Sequence, residues 1–301
     1  MANWDAVDYI SIARHGYTSL FWVNWFPLYP ILIHALDYVV PSPLLSGFFI
    51  AWASLVGAIY LYIKIVRRLF QVKTVFEPLR AVVFFVLFPT GVFLIAPFTE
   101  SLYAMLSLGA IYYALRHRYL LAGLFCLFAT ATHVTGMAVV ILVGLILLEE
   151  KVGWRKAALS CLIGSLGLVA YMVYLQYNFH DPLVFLKTQT IYHSWTSNGY
   201  ANLVTSLRAS NLIFIILSII TAVYWWGRRK SFAIYSLLFL LIPLVGKQYG
   251  GFDRYVLMAF PMQLMFYAYF RTRKSYMIVV VLFAMAWTYH LLEYGGGYIG
   301  S

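Results

Sequence analysis

Of the 301 residues, 63% are hydrophobic and 19% aromatic while only 10% are charged, a balance that excludes an ordinary soluble globular domain and makes lipid the expected solvent. A formal net charge of +11 would suggest nucleic acid in a soluble chain, but these basic residues flank apolar runs, so membrane lipids and not nucleic acid are the expected partners. The two cysteines, Cys126 and Cys161, both lie inside apolar runs, which excludes a disulfide framework and predicts two reduced, packed thiols.

The first nine residues carry two aspartates and no basic n-region, so no secretory signal peptide is read there. Trp4-Asp5-Ala6-Val7-Asp8-Tyr9 runs on to Gly16-Tyr17. A helix here places Asp5 and Asp8 on one face a turn apart, with Ser11 and His15 continuing the row. Such a pair can serve as a general base or hold a divalent cation; it can equally be the solvated face of an interfacial helix anchored by Trp4 and Tyr9. In Phe26-Pro27-Leu28-Tyr29-Pro30 the proline suits a helix start and the aromatics suit the membrane interface, so residues 26–40 are expected to lie along the membrane surface.

Apolar runs follow at 44–66, 80–97, 102–115, 157–177, 212–226, 232–245, 255–270 and 276–292. Each reads as a spanning or near-spanning helix, because in hydrocarbon every backbone polar group must be satisfied within its own segment. The run 119–148 has a polar centre at Thr130, Thr132, His133 and Thr135 and reads as two short helices meeting there. The expected fold is an all-α, polytopic membrane helical bundle over residues 1–301, one multi-pass domain of about 9–10 transmembrane or re-entrant helices. Residues 1–43 form an outer segment with juxtamembrane helices.

Basic residues cluster at 64–80, 116–118, 151–156, 228–230 and 271–274. Placing all five clusters on the cytoplasmic side puts 16 of the 21 Lys and Arg inside and leaves Asp5, Asp8, Asp37, Glu100, Asp181, Asp253 and Glu293 outside. The chemistry is therefore expected on the outer face, with His133 near an outer turn.

Three further motifs lie on that face. In Pro97-Phe98-Thr99-Glu100-Ser101, Glu100 falls in the first turn of a helix, where the dipole favours a carboxylate and where an ionisable group at membrane depth also suggests function. Asp181-Pro182 is an ordinary helix start. Lys247-Gln248-Tyr249-Gly250-Gly251-Phe252-Asp253-Arg254-Tyr255 sets two cations beside two glycines, a cradle for a phosphate or a pair of lipid-headgroup contacts with Asp253 neutralising Arg254. The seven histidines show no pair at metal-ligand spacing, and His133 reads either as a substrate contact or as a satisfied interior histidine.

Taken in order, Trp4-Asp5-Ala6, Ile12-Ala13, Gly16-Tyr17, Phe26 to Pro30, Pro97 to Ser101, Ala122-Gly123, Thr132 to Gly136, Asp181-Pro182 and Arg254-Tyr255 through Phe260-Pro261 resemble the PIG-V-type mannosyltransferases. That family comprises the second mannosyltransferase of GPI-anchor synthesis and its prokaryotic relatives. The resemblance implies a GT-C membrane fold and transfer of mannose or a similar hexose, with inversion, from a polyprenyl-phosphate donor to a hydroxyl of a lipid or glycolipid acceptor. It implies that Asp5 is the catalytic carboxylate and that Glu100 and Arg254 stand at the family's acidic and basic positions. Asp8 is the companion carboxylate, Lys247 assists Arg254 at the donor phosphate, and Trp4, Tyr17 and His133 are the candidate substrate contacts. Members usually carry a transmembrane helix ahead of the Trp-Asp motif, where this chain has three residues, and an Arg where it has His133, a contact that is then weaker or pH-dependent. A prokaryotic cell membrane is the expected location, with the endoplasmic reticulum the alternative. The rival function is a multi-pass transporter or flippase, against which stands the absence of an internal repeat.

Overall fold

The computed structural model describes residues 5–74, 76–188, 209–245 and 252–295, and among them every element is helical. The chain opens with α1 (Asp5–His15), a 3-10 turn at Leu20–Asn24 and α2 (Leu28–Asp37), followed by the long α3 (Pro43–Phe70). Next come α4 (Phe76–Val86), a second 3-10 turn at Gly91–Leu94, α5 (Glu100–Leu115), α6 (Tyr119–Thr132), α7 (Gly136–Glu149) and α8 (Trp154–Phe179). The remainder forms α9 (Ala209–Trp226), α10 (Lys230–Val245), α11 (Phe252–Leu257), α12 (Pro261–Phe270) and α13 (Tyr276–Gly295).

Helices α3 and α8 are long and apolar enough to cross a membrane, and α2, α6, α7 and much of α9, α10 and α13 are shorter apolar helices. Their outward faces are apolar too. Leu45, Phe49, Trp52 and Val56 on α3 and Leu162, Leu166, Val169 and Val173 on α8 are exposed at helical spacing, forming stripes that water-soluble surfaces avoid. The inward face of α8 carries Ser160, Gly164 and Gly167 instead, small residues that let its backbone approach α6. Thr130 on α6 donates to the Gly164 carbonyl at 2.8 Å, and Cys126 packs buried against Gly164. Both cysteines are free thiols, as their apolar surroundings predicted.

Two runs expected to be continuous are broken. Residues 80–97 do not form one helix: α4 stops at Val86, Pro89 supplies no backbone N–H, and the chain turns so tightly that a Cβ at Gly91 would lie 2.3 Å from the Val86 carbonyl oxygen. Residues 255–270 are likewise split between α11 and α12, with Pro261 starting the second piece. The 119–148 run does divide as its polar centre predicted, into α6 and α7 around His133. A Cβ at Gly136 would lie 2.6 Å from the Thr130 backbone, so only glycine lets the start of α7 close onto the end of α6.

These breaks leave α5 starting at Glu100, α7 starting next to His133 and α11 carrying Arg254 at one end of the bundle. Basic clusters gather at helix ends remote from these residues. Arg229 pairs with Glu150 at 2.8 Å between the α9–α10 turn and the end of α7, and Arg80 donates to the Arg271 carbonyl at 2.7 Å.

Candidate active site

Helix α1 buries Ala6, Tyr9, Ile12 and Ala13 against α2 and α3, which leaves Asp5 and Asp8 flanking the buried stripe. Two contacts seat the neighbouring α2: the Tyr29 hydroxyl donates to the Gly47 carbonyl at 3.0 Å, and His34 Nδ1 meets the Ala13 carbonyl at 2.8 Å. Tyr29 and Phe26 are therefore core residues, not the interfacial anchors their sequence context suggested. Polar backbone within reach of the Tyr29 hydroxyl makes burial of the whole ring favourable.

The centre of the site is an ion cluster that joins α1, α5 and α11. Arg254 Nε and Nη2 both donate to Oε1 of Glu100, at 2.7 and 2.5 Å, and Nη1 donates to Oδ2 of Asp5 at 2.8 Å. Phe93 and Phe98 lie against the guanidinium with ring centroids 5.1 and 5.0 Å away. The planar fork explains the residue type, since a lysine could not reach both carboxylates while stacking on two rings. The Glu100 side chain is 4% exposed and that of Asp5 27%, so Glu100 is enclosed whereas Asp5 meets the site's open side. Glu100 Oε2 has no hydrogen-bond partner among the described residues. Arg254 thus engages both Asp5 and Glu100; the side chain of Asp253, the neutralising partner the sequence suggested, lies outside the described residues.

Asp8 stands apart from this cluster. Its Oδ1 accepts from the Trp22 indole N–H at 3.2 Å, and its carboxyl is half-buried. Its pKa is raised to about 6, chiefly by burial, with the Trp22 hydrogen bond opposing the shift and the nearby Asp5 charge contributing to it. Because the folded protein holds this proton more tightly than the unfolded chain, ionised Asp8 costs stability, a cost absent below the ordinary value of 3.8 and complete above about pH 6. Asp8→Asn keeps an acceptor for Trp22 and should stabilise the protein at pH 7.5 by about 1 kcal/mol at most, since solvent screens a half-buried group. Thermal unfolding at pH 7.5 and pH 4 checks this: the gain is expected at the first pH and absent at the second.

His133 caps the end of α6, ringed by Phe26, Tyr103 and Tyr255 with centroids 6.4, 6.0 and 5.8 Å away. Its Nδ1 accepts from the Thr135 backbone N–H at 3.2 Å and meets the Thr135 hydroxyl at 2.8 Å. Burial pushes its pKa down to about 4, helped by the Arg254 charge and opposed by Asp5. The imidazole is neutral at physiological pH. Tyr17, expected to contact substrate, braces the chain after α1: its hydroxyl donates to the Trp25 carbonyl at 2.5 Å and its ring packs on Tyr171 and Tyr174.

Trp4 and Lys247 lie outside the described residues, as does Trp195. Asp181 belongs to a helix start away from this cluster, its Oδ1 accepting from the Leu183 N–H at 2.9 Å and its other oxygen pairing with Lys187. A divalent cation fits this arrangement poorly, because the Arg254 guanidinium already engages both Asp5 and Glu100. Among the described residues no group of three or more His, Cys, Asp or Glu is arranged to hold a metal ion.

Sequence reasoning missed Trp22, Phe93 and Thr135. Phe93 lies in an apolar run that reads as lipid-facing, and nothing local marks it as a cover for a guanidinium. Thr135 was visible only as part of a polar break. Comparisons with family models, with curated proteins and with solved structures find no match.

Proposed function

We propose that this protein is a multi-pass membrane glycosyltransferase of the PIG-V type with a GT-C bundle. It moves mannose or a similar hexose from a polyprenyl phosphate to a hydroxyl of a lipid-linked acceptor. One observation carries this reading: Asp5, Glu100 and Arg254, taken from three separate motifs of the family resemblance and as far as 249 positions apart, meet in a single ion cluster. Asp5 then takes the proton of the acceptor hydroxyl while its oxygen attacks the anomeric carbon from the face opposite the donor phosphate. The anomeric C–O bond breaks, its electron pair leaves with the phosphate, and the proton is released afterwards to water. Arg254 aims Asp5 by holding Oδ2, so that Oδ1 lies outside that ion pair, while Glu100 supports Arg254 from the enclosed side. Positive charge from Arg254 and Lys247 meets the charge that develops on the leaving phosphate.

Membrane residence is supported by the apolar outer stripes of α3 and α8. The separation of the basic clusters from Asp5 supports an extracytoplasmic site by the bias of basic residues towards the cytoplasm. A single cysteine replacing Tyr38, at the end of α2 and 81% exposed, should therefore react with an impermeant thiol reagent on intact cells. One replacing Lys230 should react only after lysis. The opposite pattern inverts the orientation and removes the outer site.

The reaction itself is tested by incubating purified protein with polyprenyl-phosphate mannose and a panel of lipid acceptors. A mass gain of one hexose on an acceptor supports the proposal. Unchanged donor and acceptors, with protein that remains folded, count against it.

A further inference from the structure

The His133 turn contains more than a ring packed among aromatics. Its Nδ1 receives a backbone N–H, which is always a donor, so Nδ1 must carry a lone pair; the Thr135 hydroxyl then completes a two-donor grip by turning its own hydrogen to the same atom. In the neutral ring the proton is consequently on Nε2. No described residue is bonded to Nε2, although the ring touches Tyr103 from α5 and Tyr255 from α11 and feels the charges of Arg254 and Asp5. The site therefore presents a neutral N–H beside its ion cluster, where Arg254 is already shared between two carboxylates. A neutral donor suits such a place. It can bond an anionic oxygen without attracting Asp5 and Glu100 as a second cation would.

We infer that His133 is a neutral hydrogen-bond donor, through Nε2–H, to a phosphate oxygen of the polyprenyl-phosphate donor, and that Thr135 is the positioning residue that fixes this tautomer. The inference rests on the glycosyltransferase reading for the identity of the ligand, whereas the tautomer rests on geometry alone. The hydrogen bond needs no protonation of the ring, because a ring whose Nδ1 accepts a backbone N–H already carries its proton on Nε2.

Two measurements on the full-length protein in detergent test it. In protein labelled with 15N at histidine, the His133 resonance, assigned by its loss in His133→Phe, should show the Nε2–H tautomer at pH 7. An Nδ1–H tautomer or an imidazolium overturns the inference. Titration with polyprenyl monophosphate should then show binding weakened about tenfold or more in His133→Phe, the loss expected for a hydrogen bond to a charged group. Thr135→Val keeps the backbone N–H and therefore the Nε2–H tautomer, but loses the hydroxyl contact that holds the ring; it should weaken binding less than His133→Phe does, with Thr135→Ser restoring it. Equal binding by wild type and a folded His133→Phe overturns this inference and leaves the glycosyltransferase reading standing. Absence of binding by wild type overturns both.

Discussion

Arg254→Ala is expected to destabilise the protein by about 3–5 kcal/mol, because it leaves the enclosed Glu100 without its cation. Three guanidinium hydrogen bonds disappear together, and two aromatic faces lose the group they cover. Most of the loss should come from Glu100, since the Asp5 carboxylate is partly solvated and can recover water. Thermal unfolding in detergent provides the measurement, and a second variant gives it meaning. Arg254→Ala combined with Glu100→Gln should regain much of the lost stability, because an uncharged amide replaces the stranded carboxylate. Arg254→Lys should fall between the two, keeping the charge but losing the fork. If Arg254→Ala melts like wild type, the ion cluster is not a structural unit and Arg254 is available to a ligand alone. The same expectation bears on function, for loss of activity in Arg254→Ala could follow from misfolding. Only the stabilised double variant can report on donor binding.

That dependence was hidden in the sequence. Spacing along the first segment correctly put Asp5 and Asp8 on one helix, since a turn of helix is a local property. The long apolar runs correctly gave α3 and α8, because their length and composition decide the matter without reference to neighbours. What spacing could not give is which carboxylate faces which cation. Glu100 read equally as a helix-dipole partner, and Arg254 read as a phosphate fork or a headgroup contact; their pairing depends on α5 and α11 being brought together by the whole bundle.

The errors share a cause. Residues 80–97 and 255–270 looked like single spans because hydropathy counts apolar side chains and ignores where the backbone can continue. Pro89, Gly91 and Pro261 interrupt the helices, and the interruptions create the site: the first frees the chain to form the turn carrying Phe93, and the second makes α11 a short separate helix that aims Arg254. Tyr29 and Phe26 misled for a similar reason. An aromatic beside proline looks the same at a membrane surface and in a core, and only the packing of α2 onto α3 distinguishes them.

Asp5→Asn is expected to reduce hexose transfer by about 100-fold or more while leaving the fold and donor binding in place. The substitution is close to isosteric, and the asparagine carbonyl oxygen can still accept from Arg254 Nη1, so the ion cluster loses a charge but keeps its geometry. What disappears is the basicity needed to take the acceptor's proton. Two other carboxylates could claim that role, and the structure separates them. Glu100 is enclosed and bound to Arg254, so Glu100→Gln should act through stability and Arg254 orientation rather than through proton transfer. Asp8 is half-buried beside Trp22 with its pKa raised to about 6, which makes it the rival base. The discriminating measurement is turnover of Asp5→Asn and Asp8→Asn side by side, with saturating donor and from pH 5 to 8. If Asp5 is the base, Asp5→Asn stays low at every pH, whereas Asp8→Asn retains turnover. If Asp8 is the base, Asp8→Asn is the inactive variant, and wild-type turnover should rise as pH passes about 6 and Asp8 ionises. Normal turnover in Asp5→Asn, Asp8→Asn and Glu100→Gln alike would remove carboxylate base catalysis from this site altogether.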